Sequence, residues 1–146
     1  MSNHADSLTL RLARSEEHRE LEELQRRASL ELPEYRDQLI ANPDAIYLPQ
    51  GQIANGQVIV AEISGQIAGF AALVGGELDG LFVEPDLWGQ GVGRALVEAA
   101  VHEARRRGLA LKVIANPRAR RFYEHCGLKV EGEVQTRFGP ALRMTR

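Results

Sequence analysis

Gly89, Gly91 and Gly93 fall at alternate positions between an apolar run ending at Val83 and a stretch of helical periodicity. In that stretch Val92, Leu96 and Ala100 share one face. Pro85 ends the preceding strand, because it supplies no N–H and pushes Glu84 toward extended geometry. A strand, a glycine-rich turn and a helix in this order aim free backbone N–H groups at one point, where the positive end of the helix dipole also lies. Such a turn suits a phosphate, although tight helix–strand packing would ask for the same glycines. A Walker loop is excluded by the absence of a Lys-Ser/Thr pair after them. A dinucleotide fingerprint fits poorly, since the turn follows three strands and comes late in the chain. No set of His, Cys, Asp and Glu has metal-ligand spacing, so no metal is expected. His18 and His102 read as exposed helix residues, His125 points away from its neighbour Tyr123, and Cys126 reads as an apolar filler.

These residues need a scaffold, and the patterning supplies one. Residues 7–14 alternate Leu8, Leu10 and Leu12 with other side chains, a half-buried strand. Ser15 reads as an N-cap for a helix with Leu21, Leu24 and Ala28 on one face, ending near Leu32 and Pro33. Glu22–Arg26 and Glu23–Arg27 are candidate i,i+4 pairs on its outer side, each worth about 0.2–0.5 kcal/mol. Residues 33–57 are broken by Pro33, Pro43, Pro49, Gly51 and Gly56, with room for a short helix at 34–41. This segment is either a lid or a plain surface connection. Val58–Ile63, Gln66–Val74 and Glu77–Val83 form a meander of three antiparallel strands through turns at Ser64-Gly65 and Gly75-Gly76. The helix after the glycine turn runs to Arg107, stopped by Gly108, with Arg94–Glu98 and Glu103–Arg107 as further pairs. A strand at 109–115 then lies parallel to Glu77–Val83 by the right-handed crossover rule. Asn116 and Pro117 open a second helix carrying Ala119, Phe122, Tyr123 and Cys126, closed by Gly127. Residues 128–136 and 138–146 form a final hairpin around Phe138, Gly139 and Pro140.

At 146 residues the chain suits one domain, able to bury roughly 70% of its unfolded surface. The net charge of −2 gives no basic body for nucleic acid, which is not expected as a partner. A lone cysteine excludes an internal disulfide and fits a reducing compartment. No apolar run is long enough to span a membrane, and Met1 to Asp6 lack a signal-peptide core, so a cytoplasmic protein is expected.

Two stretches taken together narrow the ligand. The first runs from Val83, Glu84 and Pro85 through Gly89-Gln90-Gly91-Val92-Gly93-Arg94 to Leu96. The second runs from Asn116 and Pro117 through Ala119, Phe122 and Tyr123 to Gly127. In this order and spacing they resemble the GNAT superfamily of N-acetyltransferases. The resemblance covers most of the chain, including the strand–helix order from Leu8 onward. The first stretch is similar to the family's pyrophosphate loop, R/Q-x-x-G-x-G/A, and the second to its N-x-x-A-x-x-x-Y-x-x-x-G segment.

The resemblance implies one GNAT-like domain over residues 1–146. Its α/β fold would be a single mixed, mostly antiparallel sheet with a splayed parallel strand pair and helices on both faces. It implies acetyl-CoA as co-substrate and direct transfer, in a ternary complex, to a primary amine of a small molecule or peptide. A non-catalytic CoA-binding regulatory module is the alternative. By the same resemblance the backbone of Leu81, Phe82 and Val83 holds the pantetheine arm. The loop of Trp88, Gly89, Gln90, Gly91, Val92, Gly93 and Arg94 holds the pyrophosphate, Asn116 and Ala119 complete the cofactor site, and Tyr123 gives a proton to the departing thiolate. Asn116 also reads as an N-cap, a compatible role. Asp79-Gly80 marks a bulge or close approach within the strand. Two departures stand out: Trp88 where the family has Arg or Gln, and Leu128 in place of an aromatic.

The acceptor amine must be neutral to attack, and alkyl amines are cations near pH 7. Glu77 and Asp79 have the spacing to share a strand face, where they would attract the ammonium and relay its proton through water. Tyr35, Arg36 and Tyr47 are candidates for lining the acceptor cleft. A homodimer is the default oligomer on general grounds.

Overall fold

The computed structural model describes residues 7–146; Met1 to Asp6, on which the expectation of no leader rested, lie outside the described residues. Its strands are β1 (Leu8–Leu12), β2 (Val58–Ile63), β3 (Gln66–Val74), β4 (Glu77–Val83), β5 (Lys112–Ala115), β6 (Lys129–Thr136) and β7 (Gly139–Thr145). The helices are α1 (His18–Leu30), α2 (Pro33–Ala41), α3 (Gln50–Ala54), α4 (Val92–Arg106) and α5 (Arg120–His125). The strands form one sheet in the order β1-β2-β3-β4-β5-β7-β6, antiparallel throughout except for β4 and β5. This is the mixed sheet with helices on both faces that the patterning and the resemblance imply.

β3 is central and carries apolar side chains on both faces. On one face Ala71, Leu73 and Leu78 pack with Leu96, Val97, Ala100, Val101 and Ala104 of α4. On the other, Phe70 and Ala72 join Val58 and Val60 beneath Leu21 and Leu24 of α1. Each fully buried Leu, Val or Phe among them contributes about 1.5–3 kcal/mol.

Three register shifts interrupt the sheet among the described residues, one of them between β6 and β7 at Val130/Gly132, and the other two flank β3. Glu62 pairs with Ile67 and Ala61 with Gly69, which leaves Ala68 over. Leu73 pairs with Leu78 and Ala72 with Gly80, which leaves Asp79 over. The second bulge explains why Leu78 and Leu81 both pack against the α4 side while Phe82 turns to the α1 side.

Several local expectations give way to other partners. Ser15 is not an N-cap: it lies inside a 3-10 turn, Ser15–Glu17, whose cap position is Arg14, and Glu17 accepts from the Arg14 N–H at 2.8 Å. Glu22 accepts from the Leu48 N–H at 2.9 Å rather than pairing with Arg26, and Arg27 reaches Glu84 at 2.6 Å rather than Glu23. Glu98 pairs with Arg146 at 2.6 Å, while the expected Glu103–Arg107 pair forms at 2.9 Å. The strand expected over 109–115 is regular only at Lys112–Ala115, although Leu111 still exchanges backbone bonds with Arg146. Residues 33–57 are mostly ordered turns: α2, a 3-10 turn at Pro43–Ala45, and α3.

Candidate active site

β4 and β5 pair only at Glu77 with Lys112 and Leu78 with Val113. Beyond the Asp79 bulge they part, and a cavity of about 600 Å³ opens between them. The Glu84 N–H bonds the Ala68 carbonyl at 2.9 Å. By the alternation of an antiparallel ladder, Phe82 and Gly80 therefore also spend their backbone groups on β3. Those of Leu81 and Val83 point into the splay. An unpaired strand edge of this kind accepts an extended amide-bearing ligand as an added strand.

At one end of the cavity lie Trp88, Gly89 and Gly93. Gly89 and Gly91 have φ values of 80° and 89°, the left-handed backbone that other residues adopt only with strain. Gly91 is the N-cap of α4, which has 15 residues, so the first free N–H groups of a long helix converge here. Gly93 has a different reason: a Cβ there would stand 3.1 Å from the Phe122 ring, so its absence lets α4 approach α5. The side chains of this loop divide the same way. Val92 is buried in the core, Arg94 is exposed on the first turn of α4, and Gln90 donates weakly to the Asp86 carbonyl at 3.4 Å.

Across the splay, Asn116 Oδ1 accepts from the Ala119 N–H at 3.0 Å, the expected capping role. Asn116 and Ala119 both line the cavity, as does Tyr123. Tyr123 is only 6% exposed, and burial raises the pKa of its phenol, so it stays protonated at neutral pH. Its ring meets Phe122 edge-on at 5.0 Å. Cys126 is buried behind it, where desolvation raises its thiol pKa.

The two acidic candidates separate. Asp79, at the bulge, lines the cavity and accepts from Gln52 Nε2 at 2.9 Å. Glu77 sits where β4 still pairs with β5 and lies outside the lining, so of the two only Asp79 stands at the cavity. Asp79 and Arg118 are the charged side chains of the lining, and Arg118 is held by both oxygens of Glu34 at 2.8 Å. Of the acceptor candidates, Tyr35 lines the cavity. Arg36 turns away to the Leu30 carbonyl at 2.8 Å, and Tyr47 lies exposed outside it.

Sequence reasoning missed Gln52, Glu34 and the second strap, in which Arg137 on the β6–β7 turn holds Asp44 at 3.0 Å and Asn42 at 3.0 Å. Both straps hold the α2 segment, whose Tyr35 and Leu39 line the cavity, and each guanidinium lowers the pKa of its carboxylate partner. α3, which carries Gln52, has only five residues, too short for periodicity to reveal.

Residues 15–128 match the model of the Acetyltransferase (GNAT) family. The chain belongs to this family. A stretch of 68 residues is 45% identical to peptidyl-lysine N-acetyltransferase YjaB of Salmonella typhimurium. That match covers 46% of each protein, so the chain spans about half the length of this curated relative. Among solved structures, the apo form of YjaB from Escherichia coli is 30% identical with a TM-score of 0.71, covering 95% of this chain and 97% of that one. The paiA N-acetyltransferase of Thermoplasma acidophilum, solved with coenzyme A, is 19% identical. Its TM-score is 0.74, over 96% and 98% of the two chains, a likeness of fold. Among the described residues no cluster of His, Cys, Asp and Glu is arranged for a metal, and no helix is long and apolar enough to cross a membrane.

Proposed function

We infer that this GNAT chain transfers an acetyl group from acetyl-CoA to a primary amine of a small molecule or peptide, by direct attack in a ternary complex. The observation that carries the reading is the splay. One free strand edge leads from a convergent set of helix N–H groups to a buried tyrosine and a carboxylate without a cationic partner among the described residues.

The residues fit the co-substrate. The backbone of the loop at 89–94 and the exposed Arg94 suit the pyrophosphate. The Leu81 N–H and carbonyl and the Val83 N–H suit the amides of pantetheine, the Val83 carbonyl being taken by the Trp88 indole, and Asn116 keeps its Nδ2 available while Oδ1 caps the helix. Asp79 attracts the cationic amine into an otherwise apolar wall of Leu32, Leu39, Phe138 and Pro140. In the balanced reaction the nitrogen forms a bond to the acetyl carbon, the carbon–sulfur bond breaks, and the proton lost by nitrogen ends on sulfur. Tyr123 stands in its neutral form, ready to donate to that sulfur. Its pKa lies above that of an ordinary thiol, about 8.5. Full transfer from the phenol to the thiolate is therefore uphill, and Tyr123 acts as a hydrogen-bond donor to developing charge.

The named relatives acetylate peptidyl-lysine, which supports a lysine side chain as one acceptor to try first. Isothermal titration with acetyl-CoA, followed by thiol release with lysine peptides and small amines, tests the reading. Saturable binding and amine-dependent thiol release are expected; no binding at high micromolar acetyl-CoA sinks it.

A further inference from the structure

Trp88 replaces the charged or amide side chain usual in the phosphate loop, and its surroundings give it a different task. Its indole Nε1–H donates to the Val83 carbonyl at 2.8 Å, tying the glycine turn back to the end of β4. That bond takes one of the acceptors that Leu81 and Val83 turn toward the splay. The Leu81 N–H, the Leu81 carbonyl and the Val83 N–H remain. The same bond fixes the ring, because its one donor is already engaged. The ring is nonetheless 44% exposed and lines the cavity beside Val83, Gly89 and Gly93. An indole in this position carries no positive charge and has no free donor for a phosphate. What it offers is a rigid apolar face next to a strand edge.

We propose that Trp88 is a wall of the pantetheine groove. Held by Val83, its face packs on the uncharged amide-and-methylene arm of CoA where that arm leaves the pyrophosphate turn for the splay. The phosphates are then bound by backbone amides and Arg94, with no side chain from position 88. This rests on the CoA-dependent reading of the site. It shifts part of the affinity from salt-sensitive charge to salt-insensitive apolar contact.

Trp88 is the chain's one tryptophan, so its emission reports this position alone. The test pairs emission titrations of the wild-type protein, using CoA, pantetheine and ADP, with calorimetry of CoA binding to wild type, W88F and W88A. CoA and pantetheine are expected to change the emission and ADP to leave it unaltered. W88F, which keeps a ring, should bind CoA within about threefold of wild type, and W88A roughly tenfold more weakly, a difference of about 1.4 kcal/mol. The partial exposure of Trp88 predicts that both variants fold, which circular dichroism checks, and the fragment titrations need no variant. CoA heat without an emission change and with wild-type affinity in W88A overturns the proposal while leaving the CoA reading intact. An emission change with ADP but not with pantetheine likewise overturns it. Absence of CoA heat in the wild type overturns both readings together.

Discussion

Replacing Tyr123 with Phe separates chemistry from folding more cleanly than any other change at this site. The phenol is buried, and its ring contacts Phe122 at an interplanar angle of 71°, which Phe retains. Its hydroxyl is not among the buried oxygens without a partner, Gln52 Oε1 and Thr145 Oγ1, and it faces the cavity. Removing it therefore orphans no buried group, and the melting temperature should stay within about 2 °C of wild type. In the mechanism we propose, what disappears is one donor to the departing sulfur. A hydrogen bond to a charged group is worth roughly 1.5–3 kcal/mol, so kcat should fall roughly 10- to 150-fold with the acetyl-CoA affinity unchanged. Thiol release under saturating acceptor measures kcat, and calorimetry measures affinity. Unchanged kcat on a true acceptor would refute the role, and a loss accompanied by a collapse in melting temperature would reassign it to packing. A second signature lies in alkaline unfolding. Burial raises the Tyr123 pKa above its ordinary 10.0. As pH passes about 10 the unfolded chain loses this proton while the folded chain keeps it, so stability falls with rising pH. The Phe variant should show a shallower fall.

Three further outcomes follow from the same geometry. Asp79→Asn keeps an oxygen for Gln52 and removes only the charge; kcat/KM for cationic amines should drop roughly 10- to 100-fold while acetyl-CoA affinity holds, and an unchanged kcat/KM would remove Asp79 from acceptor recognition. Gly91→Ala meets no neighbour within 4 Å, so its cost is the left-handed backbone alone, about 1–2 kcal/mol by urea denaturation with weaker CoA binding; a stability equal to wild type would mean that the turn can rearrange. The straps Glu34–Arg118 and Asp44–Arg137 are exposed and screened by salt, so the double variant E34Q/D44N, or high salt on wild type, should speed tryptic cleavage near Arg36 without lowering the melting temperature; an unaltered cleavage rate would show that the straps do not hold α2.

The chain's local grammar was legible. The alternating run became β1, the runs between the Ser64-Gly65 and Gly75-Gly76 turns became β2, β3 and β4, the glycine turn opened α4, and Gly108 and Gly127 follow α4 and α5 with φ values of 76° and 87°. These features depend on residues within a turn or two of one another, the range that periodicity and backbone conformational preference describe. The same range produced the errors. Glu22, Arg27 and Glu98 each have an oppositely charged neighbour one helical turn away. Exposed pairs of that kind are worth a few tenths of a kcal/mol, too little to outweigh partners that packing brings close, such as the Leu48 amide, Glu84 and Arg146.

By itself, the sequence determined the order of the strands and the longer helices and the two motifs on which the proposed ligand rests, because each is written in contiguous residues. Only the tertiary structure decided where the two middle strands part. Gly80 marked Asp79-Gly80 as a bulge or a close approach, but that Asp79 is the unpaired residue, and that β4 leaves β5 there, follows only once β3, β4 and β5 are laid in register. Asp79 lines the cavity while Glu77 stays in the paired sheet, and α3 sets Gln52, 27 positions away in sequence, against the Asp79 carboxylate. Trp88 is the same case on a smaller scale. Its identity was plain from the start, but its partner, the Val83 carbonyl, became visible only when the turn folded back along the strand edge.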